Sequence, residues 1–167
     1  MAYVSTIPDP WDAIEIDTFF ESESAAHIAI AEVGYSSASD AVYKVMVALS
    51  PAITQPPHSL ELFFYFVRAS EEDDSVEEIN NGLQTKHIIP SDERTRILDV
   101  VCRATQELLD IAKPPIVHYI SGEPNMPEKA RRKYGRICKA IRERGYDGRE
   151  VDPFLGTHEW ILKRTDA

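Results

Sequence analysis

The chain has 167 residues, of which 43% are hydrophobic and 28% are charged, with 18 lysines and arginines against 28 aspartates and glutamates. A chain of this length buries a sizeable core without disulfides or a structural metal, and the composition excludes an intrinsically disordered protein. No apolar run approaches the roughly 18 residues of a membrane span, and the first residues lack a signal-peptide pattern, so we expect a cytoplasmic protein that does not contact a membrane.

Charge is distributed unevenly along the chain. Residues 1–78 contain 15 acidic and 2 basic side chains, whereas residues 79–167 contain 13 acidic and 16 basic ones. We expect a single domain over residues 1–167, with an acidic, strand-rich half at 1–82 and a helix-strand-helix-strand half at 83–167. Such an asymmetry bears on the choice of partner and carries no information about the fold.

The first half has the short apolar runs and β-branched residues that are typical of strands joined by short turns. The pattern predicts strands near 13–20, 27–33, 42–49 and 60–69. Residues 70–81 are acidic and predict a loop or a short helix, and residues 83–89 predict a further strand.

The second half changes to a helical period. Ser91 is in a position to cap a helix whose apolar stripe is Ile97, Val101, Ala104, Leu108 and Ile111. A strand at 116–120 follows, and then a second helix that ends at Gly145. Strands near 151 and 158–163 close the chain. This order predicts an α+β fold with a mostly antiparallel twisted sheet of about six or seven strands and two long helices.

The element order over residues 83–164, with Ala130 and Tyr134 in an Ala-x-x-x-Tyr spacing, resembles the N-acetyltransferase superfamily that uses acetyl-coenzyme A. The resemblance implies an acetyltransferase-like topology. In that superfamily a glycine-containing turn holds the cofactor pyrophosphate on backbone N–H groups. The matching stretch, 89–96, has no glycine and places Asp92 and Glu93 where a phosphate would lie. We therefore expect no cofactor, because the carboxylates of Asp92 and Glu93 would repel the negatively charged phosphates of coenzyme A.

A second resemblance concerns the segments 113–122 and 131–136. They resemble a group of small phage and bacterial proteins in which a strand ending in serine precedes a helix that opens Arg-x-x-Leu-Tyr-x-Arg. Lys133 stands where that pattern has an apolar residue before Tyr134. This resemblance implies a phage or mobile-element setting and no particular reaction.

The second helix is strongly basic. Residues 129–144 contain eight lysines and arginines against one glutamate, and the surface positions that we single out are Arg131, Arg132, Arg136 and Lys139. Such a helix could neutralise phosphates, or it could be balanced by acids of the same protein. Because the whole chain carries a formal charge of -10, we do not expect direct nucleic-acid binding.

The densest acidic cluster comprises Glu71, Glu72, Asp73, Asp74, Glu77 and Glu78. Three interpretations are open: a solvated loop, a docking patch for a basic partner, or a divalent-cation site. The cation site lacks the glycine-centred spacing of a calcium loop. A docking patch would attract a cationic surface and raise its association rate. We take these six residues as the predicted partner-binding set.

Side chains that could carry catalysis or bind a metal are scattered. The spacing of the five histidines fits no zinc site, and no serine lies in a nucleophile elbow. We expect His118 to be a hydrogen-bonded core histidine, and His158 and Glu159 to point to opposite faces of one strand. Cys102 and Cys138 are expected to be buried free thiols. We predict no catalytic residue and no metal site.

These observations predict a non-catalytic binding protein. Its acidic half would engage a protein with a basic surface, as an inhibitor from a phage or mobile element that occupies a nucleic-acid-handling protein. One alternative is an acyl-coenzyme A-dependent N-acyltransferase that binds its cofactor atypically, with Tyr134 as general acid. The other alternative is a phage structural or assembly component. The oligomeric state stays open.

Overall fold

The computed structural model describes residues 2–51, 58–79, 82–120, 128–154 and 157–166. The strands are β1 (Tyr3–Ser5), β2 (Asp17–Glu21), β3 (Ala26–Ser36), β4 (Val42–Pro51), β5 (Ser59–Ser70), β6 (Ser75–Ile79), β7 (Ile116–Ile120), β8 (Tyr146–Phe154) and β9 (Thr157–Arg164). The helices are α1 (Gly82–Ile88), α2 (Ser91–Ala112) and α3 (Glu128–Arg142), and a short 3-10 helix (Trp11–Ala13) precedes β2.

All nine strands belong to one sheet, with the order β1-β3-β4-β5-β7-β9-β8. Strand β2 also pairs with β3, and β6 also pairs with β5. Strand β5 joins the two halves of the chain, because its residues 59–62 pair in parallel with residues 116–119 of β7. The other strand pairs are antiparallel. Strands β6 and β7 therefore pair with the same edge of β5, β7 with its first residues and β6 with its last.

The predicted fold class is wrong in its sheet. We expected six or seven mostly antiparallel strands with acetyltransferase-like topology, whereas the protein is an α+β fold with a nine-stranded mixed sheet and three helices, two of them long. The sequence pattern does not predict β1 or β6, which have three and five residues. Strands this short have too little alternation to be recognised, and the backbone groups of β3 and β5 supply the pairing that forms them.

Two segments adopt other structures than the pattern predicts. The expected strand at 83–89 is mainly the helix α1, and the expected loop or short helix at 70–81 contains β6. A short apolar segment is compatible with either period, so its neighbours in the fold decide its structure. In the hairpin of β5 and β6, Val67 pairs with Glu78 and Ala69 with Val76.

The main hydrophobic core lies between one face of the sheet and the helices. Helix α2 buries Val100, Ala104 and Leu108 against strand residues that include Val33 and Val47. Burial of each of these valine and leucine side chains contributes about 1.5–3 kcal/mol. The predicted stripe is wrong at Ile111, which is 54% exposed near the end of the helix.

The opposite face of the sheet, which we call the open face, has a separate apolar cluster. Ala26, Ile28 and Ala48 are buried there, with Met46 and Phe63 packed against them. No helical residue belongs to this cluster in the described part of the chain. The open face is therefore covered less completely than the helix-bearing face.

The ends of the long helices follow local sequence signals. Helix α2 begins at Ser91 itself, and Pro90 flanks it without a side-chain cap, so the predicted cap is wrong by one position. The helix ends where Lys113 adopts a left-handed conformation with φ of 47°, directly before Pro114. Helix α3 ends at Arg142, three residues before the predicted end, and Gly145 closes the following turn with φ of 87°, which a glycine adopts without steric cost.

Candidate functional site

Four consecutive carboxylates form the turn between β5 and β6. Glu71, Glu72, Asp73 and Asp74 are all exposed. The Asp73 Oδ1 atom accepts a hydrogen bond from the Ser75 backbone N at 3.1 Å. Hydrogen bonds donated to Asp73 by the Ser75 hydroxyl first, and by the Ser75 backbone N–H second, lower the pKa of Asp73. The lowered pKa keeps Asp73 ionised at neutral pH.

A fifth carboxylate joins this turn from a distant part of the sequence. Asp40 lies between β3 and β4, and its Oδ2 atom accepts hydrogen bonds from the Ser70 hydroxyl at 2.6 Å and the Glu72 backbone N at 2.8 Å. The Ser70 bond, and then the Glu72 bond, lower the pKa of Asp40, while the charge of Asp73 raises it. We call Asp40 and residues 71–74 the acidic tip.

The local sequence pattern does not reveal the role of Asp40, because Asp40 is 30 residues from Ser70. In an antiparallel arrangement of β3, β4, β5 and β6, the first and third turns lie at the same end of the sheet. An aspartate in a serine-rich turn was the available signal, but local sequence does not reveal its neighbour. The strand order brings these two turns together.

The six predicted acidic residues do not form one patch. Glu77 forms an ion pair with Arg68 at 2.6 Å, and both side chains are about half exposed. Glu78 pairs with Val67 on the open face, one residue further along β6, so its side chain points the opposite way from that of Glu77. Four of the predicted residues therefore belong to the acidic tip, and two flank it on different faces of the sheet.

The basic helix is partly neutralised by acids of the same protein. Arg131 pairs with Glu150 at 3.3 Å, and Arg136 pairs with Asp99. The predicted positions 132 and 139 are exposed on the same helix. Beyond the end of α3, Arg144 pairs with Asp110 of α2 at 3.3 Å. These contacts favour the interpretation in which the basic helix is balanced internally.

No cation pairs with the acidic tip in the described ranges. The ion pairs there use Arg68, Arg96, Arg103, Arg131, Arg136, Arg144, Arg164, His118 and His158, and none of them reaches Asp40 or residues 71–74. The basic helix is therefore partly paired, whereas the acidic tip has no ion-pair partner among the residues that the structure describes.

Two histidines make contacts with different glutamates. His118 is fully buried, and its Nδ1 atom lies 3.0 Å from the Glu159 carboxylate. His158 contacts Glu150, which is on the other face of the sheet. The predicted burial and hydrogen bonding of His118 and the opposite orientations of residues 158 and 159 are thus confirmed, although His118 lies on the face of the sheet opposite to Val117 and Tyr119 of the main core. Hydrogen bonding to His158 is the main cause that lowers the pKa of Glu150.

Tyr134 lies in a group of aromatic side chains. Its ring stacks on Trp160 at 5.4 Å and packs at 5.1 Å from the ring of Tyr119. The Lys133 ammonium lies 4.9 Å from the centre of the Phe64 ring. The Tyr119 hydroxyl is buried and has no hydrogen-bond partner among the residues that the structure describes, and burial holds the pKa of Tyr119 well above its usual value. This packing is that of a core edge.

Both cysteines are free. Burial raises the pKa of Cys102 to about 11 and that of Cys138 to about 12, so both thiols are protonated at neutral pH. Within the described ranges, histidine, cysteine and acidic side chains form no group of three that could hold a metal ion. None of the helices in the described ranges has the length and hydrophobicity of a membrane-spanning helix.

Parts of two resemblances lie outside the described residues. Positions 121 and 122 of the phage-like segment and the side chain of Ala130 are among these.

Comparison with protein-family models, with curated proteins and with solved structures finds no match to this chain. The acidic tip is the charged cluster that the fold assembles from two turns distant in sequence.

Proposed function

We propose that the protein is a non-catalytic binding module whose acidic tip engages a basic surface of another protein. The observation that carries this proposal is the position of Asp40. The fold places this carboxylate beside Glu72 and Asp73 and keeps it ionised with two hydrogen bonds. The same hydrogen bonds hold the two turns together, so that five carboxylates are presented at one end of the sheet.

The energetics favour a cationic partner. Two like charges about 4 Å apart near a protein surface repel by a few kcal/mol at most, and exposure to water and salt reduces this further. The repulsion within the tip is relieved when a cationic surface docks on it. The same charges raise the association rate of a basic protein over long distances.

The charge pattern supports a more specific proposal. Proteins that handle nucleic acid expose basic surfaces, and a row of carboxylates can occupy such a surface in place of phosphates. The resemblance of residues 113–122 and 131–136 to small phage and bacterial proteins agrees with an inhibitor carried by a phage or mobile element. We therefore propose that the protein acts in the cytoplasm on a nucleic-acid-handling protein.

The experiment uses two variants with the same net charge. The tip variant is E71Q/E72Q/D74N, which keeps Asp73 and its hydrogen bond to Ser75. Each substituted side chain is exposed, so the folded structure is expected to persist. Wild type and variant are immobilised, and bound proteins from a lysate of the source cell are quantified at about 50 and 500 mM salt.

The control variant removes three exposed charges far from the tip, as D12N/E15Q/E23Q. We expect a basic protein that wild type and control variant retain at low salt, that the tip variant loses, and that high salt elutes. Equal retention by all three proteins, or retention that salt does not change, would refute the proposed function.

A further inference from the structure

The open face carries a row of five apolar side chains beside the acidic tip, three of which are exposed. In the register of the sheet this row crosses five strands, as Val4, Tyr35, Val42, Ala69 and Val76. Cross-strand partners share a face, so these side chains lie next to one another. Val4 is 36%, Tyr35 43% and Val76 71% exposed.

A second apolar row lies further along the same face, and the charged row of Glu32, Lys44 and Glu78 lies between the two. It consists of Phe19, Ile28, Ala48 and Phe63 on β2, β3, β4 and β5. Phe19 is 48% exposed at the sheet edge, whereas Ile28 and Ala48 are buried. Together the two rows place four of the seven large exposed apolar side chains of the described residues on one face. Such clustering marks a surface that binds another protein.

The charges on this face identify the kind of partner. Across β1 to β6, the open-face positions include one cation, Lys44, and five carboxylates, Asp17, Glu21, Glu32, Glu61 and Glu78. The acidic tip adds five more at the end of the sheet. Nucleic acid and anionic membranes would be repelled by this set, and a second copy in face-to-face contact would place carboxylates against carboxylates.

We infer that the open face from β1 to β6 binds a protein surface that carries apolar and basic side chains side by side. The inference rests on the proposed function, since the acidic tip supplies part of the negative charge. Protein interfaces combine well-packed apolar contacts with polar and charged ones. Charge then governs the approach, and the contact of Tyr35 and Val76 with the partner governs how slowly it leaves.

The test separates charge from apolar contact with two probes. Poly-L-lysine carries charge alone, and a lysine–leucine copolymer of the same length carries charge and apolar groups. The open-face variant is Y35T/V76T, in which threonine retains strand propensity. The matched control is F20T/I111T, which replaces two side chains that are 56% and 54% exposed and lie off the open face.

We expect the open-face variant to bind the copolymer about tenfold more weakly than wild type at about 500 mM salt. The control should bind it as wild type does, and poly-L-lysine should bind the open-face variant and wild type equally at low salt. Urea unfolding of each variant verifies that it is folded. Copolymer affinity unchanged in Y35T/V76T, or reduced as much in F20T/I111T, would overturn the inference.

Two further results would change the assignment of the surface in different ways. A wild-type dimer in sedimentation that Y35T/V76T dissociates would assign the face to a second copy and overturn the inference. In the other result, poly-L-lysine binds wild type and the tip variant equally, while the copolymer still binds Y35T/V76T more weakly than wild type. That result would refute the role of the acidic tip and would support the apolar binding surface.

Discussion

The Asp40 carboxylate accepts a hydrogen bond from the Ser70 hydroxyl at 2.6 Å and so ties the turn after β3 to the start of the turn after β5. A second bond from the Glu72 backbone fixes the same oxygen. The two turns are thereby held together although their charges repel. The acidic tip is a product of tertiary structure, and its stability depends on the ionisation of Asp40.

This contact predicts a pH dependence. The pKa of Asp40 is lowered in the folded state, mainly by Ser70, so its ionised form stabilises the fold above the unfolded pKa. That contribution is lost as the pH falls through the folded pKa. We expect S70A to reduce the free energy of unfolding at about pH 7 and to have little effect near pH 2. Urea denaturation at both pH values measures this, and an equal loss at the two pH values would contradict it.

Two buried tyrosines should respond oppositely to loss of the hydroxyl. The Tyr119 hydroxyl has no partner among the described residues, whereas the Tyr146 hydroxyl donates to the Pro114 carbonyl at 2.7 Å. We expect Y119F to leave the free energy of unfolding unchanged or raise it by up to about 1 kcal/mol, and Y146F to lower it by about 1 kcal/mol. Denaturant unfolding compares the two, and a loss in Y119F as large as in Y146F would refute the assignment.

Two glycines test the packing of the second half. A methyl group on Gly148 would lie 1.9 Å from the Ile161 carbonyl oxygen, whereas one on Gly135 of α3 would meet nothing within 4 Å. We expect G148A to destabilise the protein by about 1–3 kcal/mol, because β8 must move from β9. G135A should stabilise it by about 0.5–1 kcal/mol, since alanine favours helix. Thermal unfolding that ranks the two variants in the reverse order would contradict the β8–β9 register.

The long elements could be predicted because their patterns are local. The stripe of α2 correctly places Ile97, Val101, Ala104 and Leu108 in the core. These residues recur every three or four positions over four turns, which distinguishes a helix from a strand. Its end at Lys113 also follows from the prolines directly after it.

What the sequence could not reveal depends on distant partners. The parallel pairing of β5 with β7 joins residues that are 57 positions apart, and no local pattern encodes it. The same holds for Asp40 and Ser70, and for His118 and Glu159, which are 41 positions apart. Four of the six predicted acidic residues lie at the candidate site, but the residue that organises it came only from the fold.

The most direct test of the central claim is a calorimetric titration of poly-L-lysine at about 50 mM salt into three proteins: wild type, the tip variant and the control variant. Both variants lose three negative charges, so any difference between them reports the position of those charges. We predict that the tip variant binds about tenfold more weakly than the control variant. Equal affinities would show that overall charge, and no particular surface, attracts cations, and would contradict the account.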